Sequence, residues 1–289
     1  MRETVISYAF LAPVLFFFVI FVLAPMVMGF ITSFFNYSMT KFEFVGLDNY
    51  IRMFKDPVFT KSLINTVILV IGSVPVVVLF SLFVASQTYH QNVIARSFYR
   101  FVFFLPVVTG SVAVTVVWKW IYDPLSGILN FVLKSSHIIS QNISWLGDKN
   151  WALMAIMIIL LTTSVGQPII LYNIAAMGNI DNSLVEAARV DGATEFQVFW
   201  KIKWPSLLPT TLYIAIITTI NSFQCFALIQ LLTSGGPNYS TSTLMYYLYE
   251  KAFQLTEYGY ANTIGVFLAV MIAIVSFVQF KVLGNDVEY

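Results

Sequence analysis

Charged side chains are scarce in this chain. Only 15 lysines and arginines and 14 aspartates and glutamates occur among the 289 residues, which is 10% of the sequence. Soluble globular domains carry charge on about a quarter of their residues. With 58% hydrophobic residues and a mean hydropathy of +0.81, this chain has more apolar surface than a soluble fold can bury. The composition therefore predicts an integral membrane protein.

Several chemical groups are missing as well. Cys225 is the only cysteine, which excludes an intrachain disulfide and a cluster of thiolate metal ligands. The net charge of +1 argues against a nucleic-acid partner, because nucleic-acid binding needs an excess of basic residues. No G-x-x-x-x-G-K sequence occurs, so the chain lacks a P-loop and is not expected to bind ATP itself.

The apolar windows also lack the groups that catalysis or ion coupling needs. They contain no paired carboxylates, no Ser/His pair and no metal-binding cluster, so we expect neither a catalytic residue nor a bound metal. Lys119 and Lys281 lie at the ends of such windows, where a long side chain reaches the membrane surface. Ion-coupled carriers need an ionisable residue at membrane depth, which makes a secondary carrier the weaker alternative.

Six windows are long and apolar enough to cross a bilayer, which takes about 20 helical residues. They cover about residues 8–35, 63–86, 98–120, 151–173, 208–231 and 261–283. Each is expected to be helical, since lipid offers no partner for a free backbone N–H. The uncharged stretch 4–40 is longer than the apolar region of a signal peptide, and no A-x-A cleavage site follows it, so a retained first span is expected.

Two helix-start signals occur close together between the fourth and fifth windows. Ser183 with Glu186 fits the S-x-x-E capping box, in which two orphan N–H groups at a helix start are satisfied. Thr194 with Gln197 fits a second capping box. The spacing predicts two short helices in direct succession.

A stop signal lies between these two helices. Asp191-Gly192 is expected to end the first one, because glycine adopts the left-handed conformation of a helix stop. Pro205 is expected to end the second one, since proline lacks an N–H and clashes with the preceding turn. A helix, a sharp turn and a helix suit docking into another protein, although an ordinary solvated loop remains open on spacing alone.

The residues of this stretch resemble a known motif. Glu186-Ala187-Ala188, then Gly192, then Ile202 and Pro205, with Trp204 in place of leucine, resemble the EAA loop of binding-protein-dependent ABC importer permeases. The resemblance implies an all-α integral membrane protein with six transmembrane helices and the type I importer permease (MetI-like) fold. It also implies one transmembrane permease domain over 1–289, with a cytoplasmic coupling loop over 174–209. The residues implied in ATPase coupling are Glu186, Ala187, Ala188, Asp191 and Gly192.

Two further stretches are similar to sugar permeases of that family. One is Val45–Tyr50, V-G-L-D-N-Y, and the other begins with Thr233–Pro237, T-S-G-G-P. The second continues with Thr243-Leu244, Ala252-Phe253 and Gly259-Tyr260-Ala261, and the likeness extends over nearly the whole chain, closest in type to maltose permeases. It implies that the loop with Gly235, Gly236 and Pro237 docks an external binding protein.

Uncharged polar residues in the fourth and fifth windows are the candidates for substrate binding. Helical spacing predicts that Thr218, Ser222 and Cys225 share a face, with Asn221 beside them. Such residues also join helices to one another in membranes, and this alternative stays open. Sugar-contacting positions of the maltose permease align with Thr162, Val165, Gly166 and Ile169, and with Thr218, Asn221, Ser222 and Cys225. Ile169 and Cys225 replace an aromatic residue and an amide, so the resemblance implies an altered cavity and not maltose itself.

The resemblance also implies the partners and the location. We expect a second homologous permease subunit in a heterodimer, two ATPase subunits that bind ATP and Mg²⁺, and an extracytoplasmic solute-binding protein that delivers a sugar or oligosaccharide. The chain itself is expected to hold no cofactor and to be no enzyme. Lysines and arginines divide seven against eight across the proposed topology, so charge does not fix the orientation. The resemblance places the chain among the lipids of the bacterial cytoplasmic membrane, with both termini in the cytoplasm. A polyol, glycerol-phosphate or other small solute remains an alternative substrate, and a membrane-embedded enzyme or assembly factor an alternative class.

Overall fold

The architecture comes from a computed structural model of the chain. The structure describes residues 2–89, 91–173, 180 and 182–284. The predicted coupling loop 174–209 therefore lies partly outside the described residues, at 174–179 and 181, and both chain ends lie outside them too. The chain divides into two compact units, one of Met1–Thr60 and Tyr247–Val270, the other of Lys61–Tyr246 and Met271–Tyr289.

The described elements are almost all helical. In chain order they are α1 (Arg2–Phe18), a first π-helical turn (Val19–Leu23), α2 (Ala24–Thr32), β1 (Phe35–Tyr37), β2 (Phe42–Phe44), α3 (Asp48–Lys55), α4 (Pro57–Tyr89), α5 (Val93–Val108), α6 (Ser111–Ile121), α7 (Ile128–Ser135), α8 (Ala152–Ser164), α9 (Gly166–Leu171), α10 (Asn182–Val190), α11 (Glu195–Val198), a second π-helical turn (Phe199–Lys203), α12 (Trp204–Phe223), α13 (Ala227–Leu232), α14 (Leu244–Tyr249), a third π-helical turn (Glu250–Gln254) and α15 (Tyr258–Leu283).

Among the described residues, five helical segments are long and apolar enough to cross a bilayer. They are Phe10–Thr32, Pro57–Tyr89, Ala152–Leu171, Glu195–Phe223 and Tyr258–Leu283. They correspond to the first, second, fourth, fifth and sixth predicted windows. The apolar window of the first segment has no buried share within the structure, and that of the last only 6%. Both therefore present apolar side chains outward, as lipid-facing helices do.

The third predicted window, 98–120, is a bent pair of helices and not one straight span. Helices α5 and α6 meet at an angle of 101°. Pro106 removes an N–H donor from the last turn of α5, and the backbone of Thr109 is extended, which ends the helix. Gly110 then caps α6 from a conformation outside the helical region. The sixth span exists only if this pair counts as one.

The prediction that a helix ends at Pro205 is wrong. Helix α11 continues through the second π-helical turn into α12, and Pro205 lies in the first turn of α12. In the π-helical turn, the Trp204 N–H donates to the carbonyl of Phe199, five residues back. This wider turn accommodates the proline ring, which would otherwise clash with the carbonyl four residues before it. The first π-helical turn precedes Pro25 in the same way.

The first unit contains a small sheet that the sequence did not indicate. Strands β1 and β2 pair antiparallel, with Phe35 opposite Phe44. The Asn49 side chain donates hydrogen bonds to the carbonyls of Ser33 and Phe35, both at 2.9 Å. The V-G-L-D-N-Y stretch therefore attaches α3 to the chain that leaves α2.

Asp56 holds the junction between α3 and α4 within the same unit. Its carboxylate accepts hydrogen bonds from the N–H of Val58 at 2.9 Å and from the hydroxyls of Tyr247 and Tyr260. Burial raises the pKa of this carboxyl, but the hydrogen bonds from Tyr247, Tyr260 and the backbone outweigh it, so the pKa lies below its ordinary value. Asp56 is thus an N-cap fixed by two tyrosines.

Buried polar side chains in the second unit pair with one another. The Tyr172 hydroxyl donates to the Thr211 hydroxyl at 3.0 Å, and the Asn173 amide donates to the Thr88 hydroxyl at 3.1 Å. All four residues are buried. These side chains join helices and are not free to bind a substrate, because their hydrogen-bonding groups are already paired inside the bundle.

Candidate functional site: a capped elbow and a polar groove

The first candidate site is the elbow, which we define as α10, the turn 191–194 and α11. Three hydrogen bonds end α10: the N–H groups of Asp191, Gly192 and Ala193 donate to the carbonyls of Ala187, Arg189 and Ala188. The last two bonds form a Schellman motif, with Gly192 at φ +81°. The predicted stop at Asp191-Gly192 is confirmed.

The start of α11 also agrees with its predicted capping box. The Thr194 side chain accepts from the Gln197 N–H at 3.3 Å, and the Gln197 side chain accepts from the Thr194 N–H at 2.8 Å. The first capping box differs, because α10 begins at Asn182, so Ser183 lies inside the first turn and not at the N-cap. Asp181, which precedes the helix, lies outside the described residues.

The elbow presents both apolar and charged side chains outward. Val185 and Val198 are buried and attach the two helices to the rest of the unit. By contrast, Leu184 is 58% exposed, Val190 88% and Phe196 72%. Exposed apolar side chains in such number on one short segment are typical of a protein-binding surface.

The predicted coupling residues lie on this surface. Glu186, Ala187, Asp191 and Gly192 are exposed, and Ala188 is half-buried. Because the small Ala187 and Ala188 leave the backbone of α10 accessible, another protein can approach the helix closely. Their role in ATPase coupling stays a prediction.

An ion pair joins the two helices of the elbow. Arg189 Nε lies 2.7 Å from Glu195 Oε1, and both side chains are about half exposed or more. The hydrogen bond that Arg189 donates to Glu195, together with the negative charge of Glu195, raises the pKa of the Arg189 guanidinium above its ordinary value. An exposed pair of this kind contributes little to stability, but it connects α10 and α11 across the turn.

The second candidate site is a polar groove in the second unit, formed by two adjacent cavities. The first cavity, of about 160 Å³, lies between α9 and α12. It is lined by Val107, Thr163, Ser164, Gln167, Pro168, Leu171, Tyr213, Ile214, Ile217, Thr218 and Asn221. None of these side chains is charged. The structure thus brings the predicted substrate residues Thr218 and Asn221 together.

The second cavity adjoins the first, since Val107 and Thr163 line both. It has a volume of about 240 Å³, and its lining includes the break between α5 and α6 and the break between α12 and α13. Cys225, another predicted substrate residue, lies in this lining. Helix α12 ends at Phe223, so Cys225 follows the helix end and does not continue the face of Thr218. The predicted shared face therefore ends at Ser222.

Three predicted substrate residues line neither of these cavities. The Ser222 hydroxyl is buried and lies 2.7 Å from the Ser73 hydroxyl. The Thr162 hydroxyl donates to the carbonyl of Ile159 in its own helix at 2.8 Å. At Gly166, a Cβ atom would collide with the carbonyl oxygen of Phe103, so the glycine permits close helix packing. In this structure Ser222 and Gly166 lie where helices pack against one another, while the Thr162 hydroxyl bonds within its own helix.

Four further polar groups line the groove; three of them belong to the uncharged polar residues predicted as candidates in these windows, and Tyr213 is the one that the sequence did not indicate. These are Ser164, Gln167, Tyr213 and Gln224. Within the part of the chain that the structure describes, none of their side chains makes a hydrogen bond.

The loop predicted to dock a binding protein is tightly ordered. Gly235 has φ +78°, and a Cβ there would meet the Tyr246 ring at 2.6 Å. The Thr241 hydroxyl donates to the carbonyl of Gly236 at 2.8 Å, and the Gly236–Pro237 peptide is cis. Gly235 is buried, so it shapes the loop from within. The docking role of Gly235, Gly236 and Pro237 stays a prediction.

Comparison with known proteins adds to this geometry. The family model described as "binding-protein-dependent transport system inner membrane component" matches residues 50–283. The chain is 33% identical to the lactose transport system permease protein of Rhizobium radiobacter, over 95% of this chain and 92% of that protein. It is 34% identical to the diacetylchitobiose uptake system permease protein of Streptomyces coelicolor, over 95% of this chain and 81% of that protein.

A solved structure has a similar fold. A chain in the crystal structure of a bacterial ABC transporter involved in the import of the acidic polysaccharide alginate matches with a TM-score of 0.82. That match covers 99% of this chain and 98% of the other, at 23% sequence identity. At this identity the likeness describes the fold alone.

Proposed function

Since this chain belongs to the family of binding-protein-dependent transport system inner membrane components, we propose that it forms half of the translocation path of an ATP-driven importer for neutral sugars or oligosaccharides. Its family and fold confirm the predicted class of multi-spanning carbohydrate ABC importer permease. The observation that carries the proposal for the mechanism is the elbow, a capped pair of helices with an outward apolar and charged face.

The proposed coupling follows from the elbow. ATP hydrolysis takes place on two separate ATPase subunits, which hold ATP and Mg²⁺, and α10 docks into a groove on one of them. The exposed Leu184 and Val190 supply apolar contact, while Glu186 supplies charge at the same surface. The elbow then faces the cytoplasm, and both termini lie on that side.

The proposed substrate class follows from the groove. Its lining has hydroxyl and amide groups without charge, which suits the hydroxyls of a neutral sugar. Relatives named for the transport of lactose and diacetylchitobiose support this class. A second, homologous permease completes the path, and an external binding protein docks at the loop around Gly235. A crystal structure of a bacterial alginate ABC transporter in complex with a periplasmic protein supports a partner of this kind.

Reconstitution in proteoliposomes tests the proposal. The full complex is expected to take up a radiolabelled neutral sugar only with ATP on the ATPase side and the binding protein on the other side. Glu186→Lys is expected to abolish uptake while the permease still reaches the membrane. Glu43→Lys, the same charge reversal on the exposed strand β2, serves as the control and is expected to retain uptake.

Two results would contradict the proposal. Uptake driven by a proton or sodium gradient without ATPase subunits would identify a secondary carrier. Full uptake by Glu186→Lys would remove the docking role of α10.

A further inference from the structure

The helix of the fifth span carries a patch of aromatic and basic side chains where the elbow ends. This interfacial patch consists of Phe199, Trp200, Lys201, Lys203 and Trp204, in and just after the second π-helical turn. The ring centroid of Trp200 lies 5.5 Å from that of Phe199 and 5.6 Å from that of Trp204. Phe199 and Trp204 pack partly against the buried core of the second unit, whereas Trp200 is 49% exposed. The patch is therefore anchored on one side and open on the other.

The length of the helix places the interfacial patch at the membrane surface. Helix α12 has 20 residues, which at about 1.5 Å per residue matches the roughly 30 Å of hydrocarbon in a bilayer. The whole apolar segment Glu195–Phe223 has 29 residues, so α11 and the π-helical turn extend beyond the hydrocarbon. Lys201 and Lys203 precede α12 directly, which puts their backbone within about 5 Å of the hydrocarbon edge. Both lysines therefore lie in the layer of the lipid headgroups.

The two lysines of the patch carry positive charge without a counterion in the chain. Within the part of the chain that the structure describes, neither forms an ion pair or a side-chain hydrogen bond. No aspartate or glutamate occurs from Phe196 to Tyr249. Glu195, the acidic residue just before that stretch, already pairs with Arg189 at 2.7 Å. An anionic group from outside the chain is therefore the complementary partner of these lysines.

Helical spacing places the lysines on either side of the tryptophan pair. Successive helical residues turn by about 90–100°, so Lys201 and Lys203 flank the face that Trp200 and Trp204 share. Lys201 is exposed and Lys203 is half-buried. A lysine at this depth lays its aliphatic stem along apolar surface and extends its ammonium group to the headgroups.

The tryptophans suit the same depth. Tryptophan is enriched at membrane–water interfaces, because its indole has an apolar body and a polar N–H. Among the described residues, the indole N–H groups of Trp200 and Trp204 have no hydrogen-bond acceptor. Both N–H groups thus remain available to donate to a phosphate or glycerol oxygen of a lipid.

We propose that the interfacial patch binds the headgroups of anionic phospholipids, with Lys201 and Lys203 at the phosphates and the two tryptophans beside the glycerol and the upper acyl chains. Each basic residue near the membrane surface adds to the attraction for anionic lipid, which favours such lipids over zwitterionic ones. The bound lipid ties the start of α12 to the membrane surface next to the elbow. This inference goes beyond the proposed function, because it holds whichever solute the transporter carries.

The test uses the complete transporter in nanodiscs of phosphatidylcholine with about a third phosphatidylglycerol, so that the two lipids compete for the patch. A trace of either lipid carries a photoreactive group at its headgroup, and mass spectrometry measures the label on residues 199–204. After correction for lipid content, the ratio of phosphatidylglycerol label to phosphatidylcholine label is expected to be at least about ten in the wild type. In Lys201→Gln/Lys203→Gln this ratio is expected to fall to about one, since both charges are removed.

A matched control removes the same charge elsewhere. Lys134→Gln/Lys149→Gln neutralises two exposed lysines outside the patch, and the label ratio is expected to change less than about twofold. A charge-conserving variant guards against misfolding, because Lys201→Arg/Lys203→Arg keeps both positive charges and is expected to keep the wild-type ratio. Assembly of all variants is checked by size-exclusion chromatography.

Three results would overturn the inference. The first is a wild-type label ratio of about one, or an unchanged ratio in Lys201→Gln/Lys203→Gln. The second is an arginine variant that loses the preference as fully as the glutamine variant, since the charge would then not be what binds. The third is loss of the ATPase subunits from the glutamine variant with its label ratio unchanged, which would identify the patch as a protein interface.

Discussion

Arg189 on α10 and Glu195 on α11 form an ion pair of 2.7 Å across the turn at Gly192. The pair spans the glycine stop, so two elements hold the angle of the elbow: a left-handed glycine and a pair of opposite charges. Because both side chains are exposed, the pair is a guide for the direction of α11 and not a main source of stability.

Reversal of this ion pair tests that role. Arg189→Glu alone is expected to lower uptake several-fold, because two like charges then push α10 and α11 apart. The double variant Arg189→Glu/Glu195→Arg is expected to regain most of the uptake, since the attraction is restored. Thermal unfolding of the purified permease is expected to change little in either variant, because both side chains are exposed. If the double variant is as defective as the single one, the pairing has no part in transport.

Gly192 is needed for its backbone conformation and not because a side chain would lack space there. Its φ is +81°, yet a Cβ there would meet no atom within 4 Å. Gly192→Pro is expected to abolish uptake, because proline needs a negative φ and loses the N–H that donates to Arg189. Gly192→Asn is expected to retain uptake, since asparagine tolerates the left-handed region. Uptake assays on membranes with matched permease content distinguish the two, and normal uptake by Gly192→Pro contradicts the role of the elbow.

Ser222 and Asn221 are adjacent in sequence but differ in environment. Ser222→Ala leaves the buried Ser73 hydroxyl without a partner and is expected to cost about 1–3 kcal/mol of stability with the sugar KM unchanged. Asn221→Ala is expected to raise the KM roughly five- to tenfold with unchanged stability, because it removes the amide that we propose binds the sugar. Melting temperatures and uptake kinetics of both variants provide the check. A large increase in the KM of Ser222→Ala would show that Ser222 takes part in sugar binding.

Two glycines form another matched pair. Gly166→Ala is expected to destabilise the second unit by about 1–3 kcal/mol, since its Cβ would overlap the Phe103 carbonyl. Gly110→Ala is expected to be neutral, because φ is −58° and nothing lies within 4 Å of the added Cβ. Thermal unfolding in detergent measures both. Equal stability of the two variants would show that α5 and α9 do not approach as closely as described.

The lowered pKa of Asp56 predicts how the stability of the first unit changes at acidic pH. The pKa of the Asp56 carboxyl is lower in the folded protein than in the unfolded chain. The ionised carboxylate therefore stabilises the fold at any pH above the pKa that Asp56 has in the unfolded chain. This stabilisation is lost as the pH falls through the pKa that Asp56 has in the folded protein. Between about pH 6 and about pH 3, the wild type is expected to lose more stability than Asp56→Asn, which has no charge to lose. Thermal unfolding across this pH range provides the measurement, and equal slopes for both proteins would contradict the lowered pKa.

The sequence predicted the elbow well because its signals are local. A capping box and a glycine stop each depend on residues three to six positions apart, and both appear at Thr194 and Gly192 as expected. Hydropathy located the spans for the same reason, since lipid imposes its requirement on each segment separately.

The groove was predicted less well because its composition depends on contacts distant in sequence. Periodicity placed Ser222 with Thr218, but nothing local indicated that Ser73, 149 positions away, uses its hydroxyl. The break between α5 and α6 was missed because the apolar pattern continues through it. The end expected at Pro205 was wrong because the wider turn before it is a tertiary outcome that single-residue preferences do not predict.

The uninterrupted helix from Glu195 to Phe223 has a mechanical consequence. At a rise of about 1.5 Å per residue, its 29 residues form a helix roughly 40 Å long. One end carries the Arg189 partner Glu195, and the other carries Thr218 and Asn221. Because the helix continues through the π-helical turn without a break, a shift of Glu195 along the helix axis is expected to move Asn221, at the polar groove, in the same direction.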